Sequence, residues 1–148
     1  MKKEKPLILL SNDDGVEAKG LNELIRGLRG MGEIIVMAPD GPRSGASGAI
    51  TSEHPVRYYK VREEEDLTVY KCTGTPVDCV NMAIHLLKFK PNVIFSGVNN
   101  GLNVGTDIMY SATVASACEG INYNILGIAI SCDVDHLEGM KYFDDIIC

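Results

Sequence analysis

Short, almost uninterrupted apolar runs constrain the fold of this chain more than any other feature. Such runs are typical of strands that are buried on both faces of a parallel sheet. They occur at Leu7–Leu10, Ile34–Ala38, Asn92–Ser96 and Ile125–Ser131. Helical patterns lie between them, and the first places apolar residues at i, i+3, i+4 and i+7, namely Leu21, Leu24, Ile25 and Leu28. This alternation predicts a three-layer α/β fold with a mostly parallel sheet.

The middle of the chain predicts two further elements. Pro55–Val61 and Leu67–Cys72 alternate and carry β-formers, which predicts a hairpin with the charged stretch Arg62–Asp66 as its solvated turn. Thr75, Pro76 and Asp78 then form a strong helix start, and Pro91 is expected to stop that helix. A further helix is expected at Thr113–Glu119, and the final Tyr142–Cys148 also looks helical.

The net charge and the length of the apolar runs limit the expected binding partners and the expected cellular location. The 148 residues carry a formal net charge of −6, whereas nucleic-acid-binding surfaces usually show a basic excess. No apolar run approaches the roughly 20 residues that span a bilayer, and the one after the basic N-terminus is too short for a signal peptide. We therefore expect no nucleic-acid partner, no membrane partner and a cytoplasmic location.

The cysteines and the C-terminus add two expectations. The five cysteines are odd in number and form no CxxC pair, which argues against a disulfide framework or a zinc site. Most of them are expected to be buried thiols. Because the helical pattern at Tyr142–Cys148 stops without a cap, we expect residues 1–148 to form a single domain that lacks the C-terminal part of a longer chain.

Three polar segments each follow a predicted strand directly. They are Ser11–Gly15, Asp40–Ser47 and Gly97–Asp107. In open α/β sheets, ligands bind at the carboxyl ends of the strands. Three loops that are distant in sequence are therefore expected to converge on one site.

Asp13 and Asp14 are the strongest candidates for chemistry. Two adjacent carboxylates repel one another unless a cation neutralises them, and a hard divalent cation with oxygen ligands does so. The alternative is that one aspartate only caps the next helix. Because two other polar loops are expected nearby, we favour the metal site.

The remaining candidates are hydroxyl and amide side chains. Ser44 lies in a Gly- and Ser-rich loop, and Asn99 and Asn103 lie among recurring glycines that let the backbone approach a ligand. Ser111 and Thr113 start a helix, so they either cap it or help to bind phosphate there. The three histidines lie outside the loops, and His85 falls in the middle of a predicted helix, which disfavours histidine-based phosphoryl transfer. They are His54, His85 and His136.

These loops carry a family resemblance. The stretches LLSNDDGVEAKG, VMAPDGPRSGAS, GTPVDCV and FSGVNNGLNVGTDIMYSATVASACEG run in order through nearly the whole chain. Together they resemble the survival protein E (SurE) family of nucleotidases. The resemblance implies a Rossmann-like core, a homodimer or homotetramer, and one divalent metal ion per subunit, Mg²⁺ or Mn²⁺. The metal ligands that it implies are Asp13, Asp14, Ser44 and Asn99.

The function expected from this resemblance is metal-dependent hydrolysis of nucleoside 5′-monophosphates, with 3′-monophosphates and short polyphosphate as further substrate classes. A metal-activated water would be the nucleophile, Asp13 or Asp14 would orient it, and phosphate would be held by Asn12, Asn103, Ser111 and Thr113. Two alternatives remain open: an aspartyl-phosphate intermediate, and a nucleotide- or metal-binding module with little turnover. The family usually has Ser-Gly-Thr where this chain has Ser111-Ala112-Thr113, so Ala112 is expected to limit the site, either by backbone strain or because a relaxed backbone has lost one N–H donor to the phosphate. The competing interpretation is that alanine fits an ordinary first turn of a helix.

Overall fold

A six-stranded sheet organises the residues that the computed structural model describes, 5–133. Its strands are β1 (Leu7–Ser11), β2 (Glu33–Pro39), β3 (Tyr58–Glu64), β4 (Leu67–Cys72), β5 (Val93–Asn100) and β6 (Leu126–Cys132). The helices are α1 (Lys19–Leu28), α2 (Pro76–His85) and α3 (Ala112–Glu119), with 3₁₀ turns at Gly105–Met109 and Gly120–Tyr123.

The strand order is β3-β4-β2-β1-β5-β6. Every neighbouring pair is parallel except β3 and β4, which form an antiparallel hairpin at the edge. Helix α1 connects β1 to β2 on one side of β1, whereas β5 pairs with β1 on the other side. The predicted three-layer, mostly parallel α/β fold with a hairpin is confirmed.

The central strands are buried on both faces. Successive side chains of a strand point to opposite faces of the sheet, so Ile8 and Leu10 join one apolar cluster whereas Leu9 joins the other. The first cluster includes the predicted apolar face of α1, and the second includes the inner face of α2. Unbroken apolar runs are needed here because polar side chains on either face would lose their water.

The start of α2 has the predicted capping box. The Thr75 side chain accepts a 3.1 Å bond from the Asp78 backbone N–H, and the Asp78 carboxylate accepts a 2.9 Å bond from the Thr75 N–H. Asp78 also accepts from the Thr51 hydroxyl at 2.6 Å. This carboxylate therefore joins the helix start to the polar loop that follows β2.

The end of α2 differs from the prediction. The helix ends at His85 and not at Pro91. Lys88 takes a left-handed φ of 55°, and the Phe89 N–H bonds back to the Ala83 carbonyl at 3.1 Å, as in a left-handed helix ending. His85 is consequently at the exposed helix end, where its Nε2 lies 2.8 Å from the Tyr123 hydroxyl.

Two boundaries and the cysteines also differ. Arg62–Glu64 belong to β3 and leave only Glu65–Asp66 as the hairpin turn, and Gly97–Asn100 belong to β5 and not to a loop. Both boundaries differ for the same reason. The added residues form backbone hydrogen bonds with a neighbouring strand, β4 or β6, and these bonds cannot be predicted from local sequence. Of the four described cysteines, all free, only Cys72 and Cys79 are fully buried.

Some predictions fall outside the described residues. The C-terminal helix predicted at Tyr142–Cys148, together with His136, lies beyond the described range. Within residues 5–133, no helix is long and apolar enough to cross a membrane.

Candidate metal and phosphate site

The three polar segments meet at the carboxyl ends of β1, β2 and β5, which are neighbours in the sheet. The connection from β1 leads to β2 on one side, while β5 lies on its other side, so the chain order changes direction at β1. This is the topological switch point at which α/β sheets bind ligands. The three loops therefore lie together at one edge of the sheet, as expected.

Backbone hydrogen bonds hold the loops together. The Arg43 N–H donates to the Asp13 carbonyl at 2.7 Å, and the Val16 N–H donates to the Pro39 carbonyl at 2.8 Å. The Gly15 backbone has a φ of 104°, and a Cβ there would lie 3.1 Å from the Gly41 Cα. Gly15 is thus needed both for its backbone angle and for the close approach of the second loop.

Asp13 lies at the bottom of the site. It is 6% exposed, and its Oδ1 accepts a 2.6 Å hydrogen bond from the Thr113 hydroxyl at the start of α3. Because one carboxylate oxygen is engaged in this way, Thr113 fixes the rotation of the carboxylate. The other oxygen remains as an acceptor for a ligand.

Asp14 lies beside Asp13 and is half-buried. Burial raises the pKa of the Asp14 carboxyl above its ordinary value of 3.8, and the Asp13 charge raises it further, while a hydrogen bond from the Asn100 backbone opposes both. The folded protein therefore disfavours a second negative charge at this position. A bound cation would relieve that repulsion.

Ser44 and Asn99 are the other two residues predicted to offer oxygen atoms to the metal ion, and both line the same cavity. Ser44 is exposed at the tip of a turn that the 3.1 Å bond from the Ala46 N–H to the Arg43 carbonyl closes. The Asn99 side-chain N–H donates to the Gly101 carbonyl at 2.7 Å. Its carboxamide oxygen is consequently the atom available to a cation.

A cavity of about 280 Å³ unites these side chains. Six of the eight residues predicted to form the site line it: Asp13, Asp14, Ser44, Asn99, Asn103 and Ser111. Two are anchored by further bonds. Asn103 donates to the Ser131 hydroxyl at 2.7 Å, and the Ser111 hydroxyl caps α3 by accepting from the Val114 N–H at 3.1 Å.

Asn12 and Thr113 do not line the cavity. The buried Asn12 carboxamide donates to the Gly15 carbonyl at 2.9 Å and accepts from the Gly15 N–H at 3.2 Å, so it shapes the turn that carries the aspartates. Thr113 is fully buried against Asp13. The geometry gives both residues a positioning role, and their predicted contact with phosphate stays a prediction.

Ala112 also differs from the expectation. It is the fully buried first residue of α3, does not line the cavity, and is not among the described residues with positive φ. A helical φ is ordinary for alanine. The expected strain at Ala112 is therefore absent.

Sequence reasoning missed four residues that line the cavity, namely Gly45, Asn100, Asp107 and Tyr110. Asp107 and Tyr110 lie in and after the 3₁₀ turn Gly105–Met109. Their signal in the sequence was an acid at the end of the third polar segment and an aromatic side chain three residues after it. Tyr110 is 68% exposed, so its ring is open to solvent at the edge of the cavity that it lines.

The donor set fits a hard divalent cation. Two carboxylates, a hydroxyl and a carboxamide oxygen line one cavity, and Mg²⁺ and Mn²⁺ prefer such oxygen ligands. Within residues 5–133, no three His, Cys, Asp or Glu residues lie close enough to share a metal ion. Asp107 therefore does not complete a three-carboxylate centre with Asp13 and Asp14.

Comparison with known families identifies the family of this chain. The family model described as survival protein SurE matches residues 8–147. The chain belongs to the SurE family. All four proposed metal-binding side chains and the cavity they line fall within the matched range.

Curated members of the SurE family are similar over most of this chain. A protein of Phocaeicola vulgatus named 5′-nucleotidase SurE is 66% identical over 148 residues, which is 96% of this chain and 58% of that protein. A second, from Bacteroides thetaiotaomicron and of the same name, is 52% identical and covers 88% of this chain and 51% of its own length. The chain thus spans little more than half the length of these relatives.

A solved structure shares the fold. The SurE protein from Aquifex aeolicus superposes with a TM-score of 0.80 at 36% identity, covering 96% of this chain and 58% of that one. The SurE-type α/β architecture of this chain therefore rests on structure as well as on sequence.

Proposed function

We propose that this chain is the catalytic part of a divalent-metal-dependent phosphomonoesterase that hydrolyses nucleoside 5′-monophosphates to nucleoside and phosphate. One observation carries the proposal: adjacent carboxylates and two further oxygen donors line a single cavity at the switch point of the sheet. The name of the two relatives, 5′-nucleotidase, supports nucleoside 5′-monophosphates as the substrate class.

Asp13, Asp14, Ser44 and Asn99 would hold one Mg²⁺ or Mn²⁺ ion. When bound, such an ion offsets phosphate charge and makes water a better nucleophile near neutral pH. Thr113 holds the Asp13 carboxylate in place for this task. Asp13 or Asp14 would also orient or deprotonate that water.

The phosphate would lie between the aspartates and the start of α3. The Ser111 hydroxyl accepts from Val114, so its own hydrogen remains free to donate to a phosphate oxygen. Asn103 is fixed by Ser131 at the same cavity. Asn12 and Thr113 bond to Gly15 and to Asp13, so the proposal gives both a positioning role, and their direct contact with phosphate stays a prediction.

The exposed ring of Tyr110 favours a nucleotide over a simple phosphate ester. It lines the same cavity as the aspartates and is open to solvent. Aromatic side chains in such positions stack on nucleobases, whichever base is presented. This supports nucleoside monophosphates as a class without a preference for one base.

The test is phosphate release from a panel of nucleoside 5′- and 3′-monophosphates, with Mg²⁺, with Mn²⁺ and after exhaustive chelation. We expect release only when a divalent metal is present. Full activity after chelation and dialysis would refute the metal-dependent mechanism. Tight nucleotide binding without any release would favour the alternative of a binding module, and trapping of a phosphoenzyme would favour an aspartyl-phosphate intermediate.

Several finer features stay predictions. They are a single domain over residues 1–148, a homodimer or homotetramer, a cytoplasmic location, and activity on 3′-monophosphates and short polyphosphate. The single domain and the cytoplasmic location are expected from the sequence itself, whereas the other features are implied by the family resemblance. Gel filtration and the same substrate panel would measure the oligomeric state and the substrate range.

A further inference from the structure

Three sulfur atoms lie together beneath the hairpin, away from the candidate metal and phosphate site. Cys72 ends β4, whereas Cys79 and Met82 lie three residues apart on the inner face of α2. The Cys72 Sγ lies 3.6 Å from the Met82 Sδ, and Cys79 packs in the same buried core cluster as both residues. None of the three lines the cavity that holds Asp13.

We propose that Cys72, Cys79 and Met82 form a binding site for a soft monovalent metal ion, with Cu(I) as the best fit. Thiolate and thioether sulfur are the ligands that select Cu(I) over harder cations. Three metal–sulfur bonds of about 2.3 Å in one plane would put the sulfur atoms about 4 Å apart. The 3.6 Å between the Cys72 and Met82 sulfur atoms is close to that arrangement.

The surroundings of the three sulfur atoms suit such an ion. Both thiols are fully buried, and their neighbours in the same core cluster are apolar, among them Leu9, Ile35 and Val80. Because both thiols are fully buried, the site excludes the water that a hard cation would need to keep. Zinc normally takes four ligands, and among residues 5–133 no third cysteine, histidine or acid joins the two thiols.

One polar group supports the negative charge of the bound form. The Gly74 backbone N–H donates to the Cys72 sulfur at 3.3 Å. Binding would form two metal–thiolate bonds and one metal–thioether bond, and it would release two thiol protons to solvent. No electron is transferred, because copper enters and remains as Cu(I).

A bound Cu(I) ion would also affect the turn that follows Cys72. The Cys72 carbonyl accepts from the Asp40 N–H at 2.7 Å, and the Thr73 carbonyl accepts from the Arg43 guanidinium at 3.2 Å. The turn that leads into α2 is thereby joined to the loop that carries Ser44. Fixing Cys72 to α2 through a metal would stabilise this junction.

The experiment is an anaerobic titration of the 148-residue chain with Cu(I), supplied as its acetonitrile complex in competition with a colorimetric Cu(I) chelator. We expect one tightly held Cu(I) per chain, a thiolate-to-copper absorption band in the near ultraviolet, and a higher midpoint of thermal unfolding. Failure to compete with the chelator would overturn the proposal.

Variants assign the ligands. Cys79→Ser should weaken Cu(I) affinity by about 100-fold, because one of the few strong metal–ligand bonds is lost. Met82→Leu keeps both thiols and nearly the same apolar volume, so it should fold normally, retain the absorption band and bind less tightly. The matched control replaces the cysteines outside the cluster, Cys118, Cys132 and Cys148, by serine.

That control should bind Cu(I) like the unmodified chain. Loss of binding in the control, or unchanged affinity in folded Cys79→Ser and Met82→Leu, would place the copper elsewhere and refute the site. Because none of these measurements uses phosphate release, their outcome is independent of the proposed nucleotidase activity.

Discussion

The Thr113 hydroxyl donates a 2.6 Å hydrogen bond to Oδ1 of Asp13 across 100 positions of sequence. Both groups are buried, so the bond forms where water competes little for either partner. It joins the start of α3 to the end of β1. This bond decides which way the Asp13 carboxylate faces.

Removing the Thr113 hydroxyl should free the Asp13 carboxylate to rotate without leaving a cavity in the core. Thr113→Val keeps the side-chain shape, and we expect it to lower the free energy of unfolding by about 1.5–3 kcal/mol, the usual value of a hydrogen bond to a charged group. Metal affinity or kcat should fall about 10–100-fold, as for lost partners of metal ligands. Mn²⁺ titration and steady-state kinetics measure this, with Thr68→Val on β4 as the control.

The same variant separates the two roles considered for Thr113. If Thr113 bound phosphate, KM for the phosphate ester would rise while metal affinity stayed unchanged. A positioning role requires the reverse pattern, with metal affinity affected first. Unchanged metal affinity in folded Thr113→Val would therefore contradict our interpretation of the hydrogen bond.

Neutralising Asp14 should remove turnover and spare the fold. The folded state raises the pKa of Asp14 above 3.8, so it binds this proton more tightly than the unfolded state does. Ionisation of Asp14 therefore costs stability as pH rises above 3.8, and that cost is fully present once pH exceeds the folded pKa. In the presence of chelator, Asp14→Asn should be at least as stable as the unmodified chain at neutral pH.

This advantage should shrink in acid, where Asp14 is protonated in both states. Urea unfolding at neutral and at acidic pH, with chelator present, measures the difference. Phosphate release should be abolished in Asp14→Asn at every pH. A variant that unfolds readily but keeps its activity per folded molecule would show that the aspartate pair is structural.

Ala112→Gly should lower stability and leave catalysis unchanged. Ala112 is buried in the ordinary helical backbone of α3, so glycine would relieve no strain and would cost about 1 kcal/mol of helix stability. Thermal unfolding and kcat of the one variant measure both effects. An increase in kcat would instead mean that the methyl group crowds the bound phosphate.

Tyr110→Ala should affect nucleotides and not simpler esters. Loss of one base-stacking ring is worth about 1–3 kcal/mol, which corresponds to a KM for AMP that is roughly 5–150-fold higher. The KM for glycerol 2-phosphate, which has no base, should stay unchanged. Tyr110→Phe should behave like the unmodified chain, and Tyr59→Ala on the exposed β3 strand is the matched control.

An equal loss of activity on AMP and on glycerol 2-phosphate in Tyr110→Ala would assign Tyr110 to the phosphate and not to the base. No loss with either substrate would remove Tyr110 from the substrate site. Both results would leave the metal-dependent mechanism standing, because Tyr110 supplies no metal ligand.

Much of the architecture could be predicted from local sequence because its causes are local. Leu7–Leu10 and Ile34–Ala38 have no polar face, so they require burial on both sides, which only the centre of a covered sheet provides. Within a single turn, the side chains of Thr75 and Asp78 each accept a hydrogen bond from the backbone N–H of the other residue. Strand termini then place the polar loops, which is why the aspartates and Ser44 could be expected to meet.

What local sequence could not decide depends on partners far along the chain. Arg62–Glu64 are in a strand because β4 bonds to them, and α2 ends at His85 because Lys88 turns the backbone there. Asn12 and Thr113 have side chains that could bind phosphate. In the structure, however, Asn12 donates to the Gly15 carbonyl and Thr113 donates to the Asp13 carboxylate. The sequence shows which side chains can form hydrogen bonds. Which groups they bond to depends on which residues the fold brings within hydrogen-bonding distance.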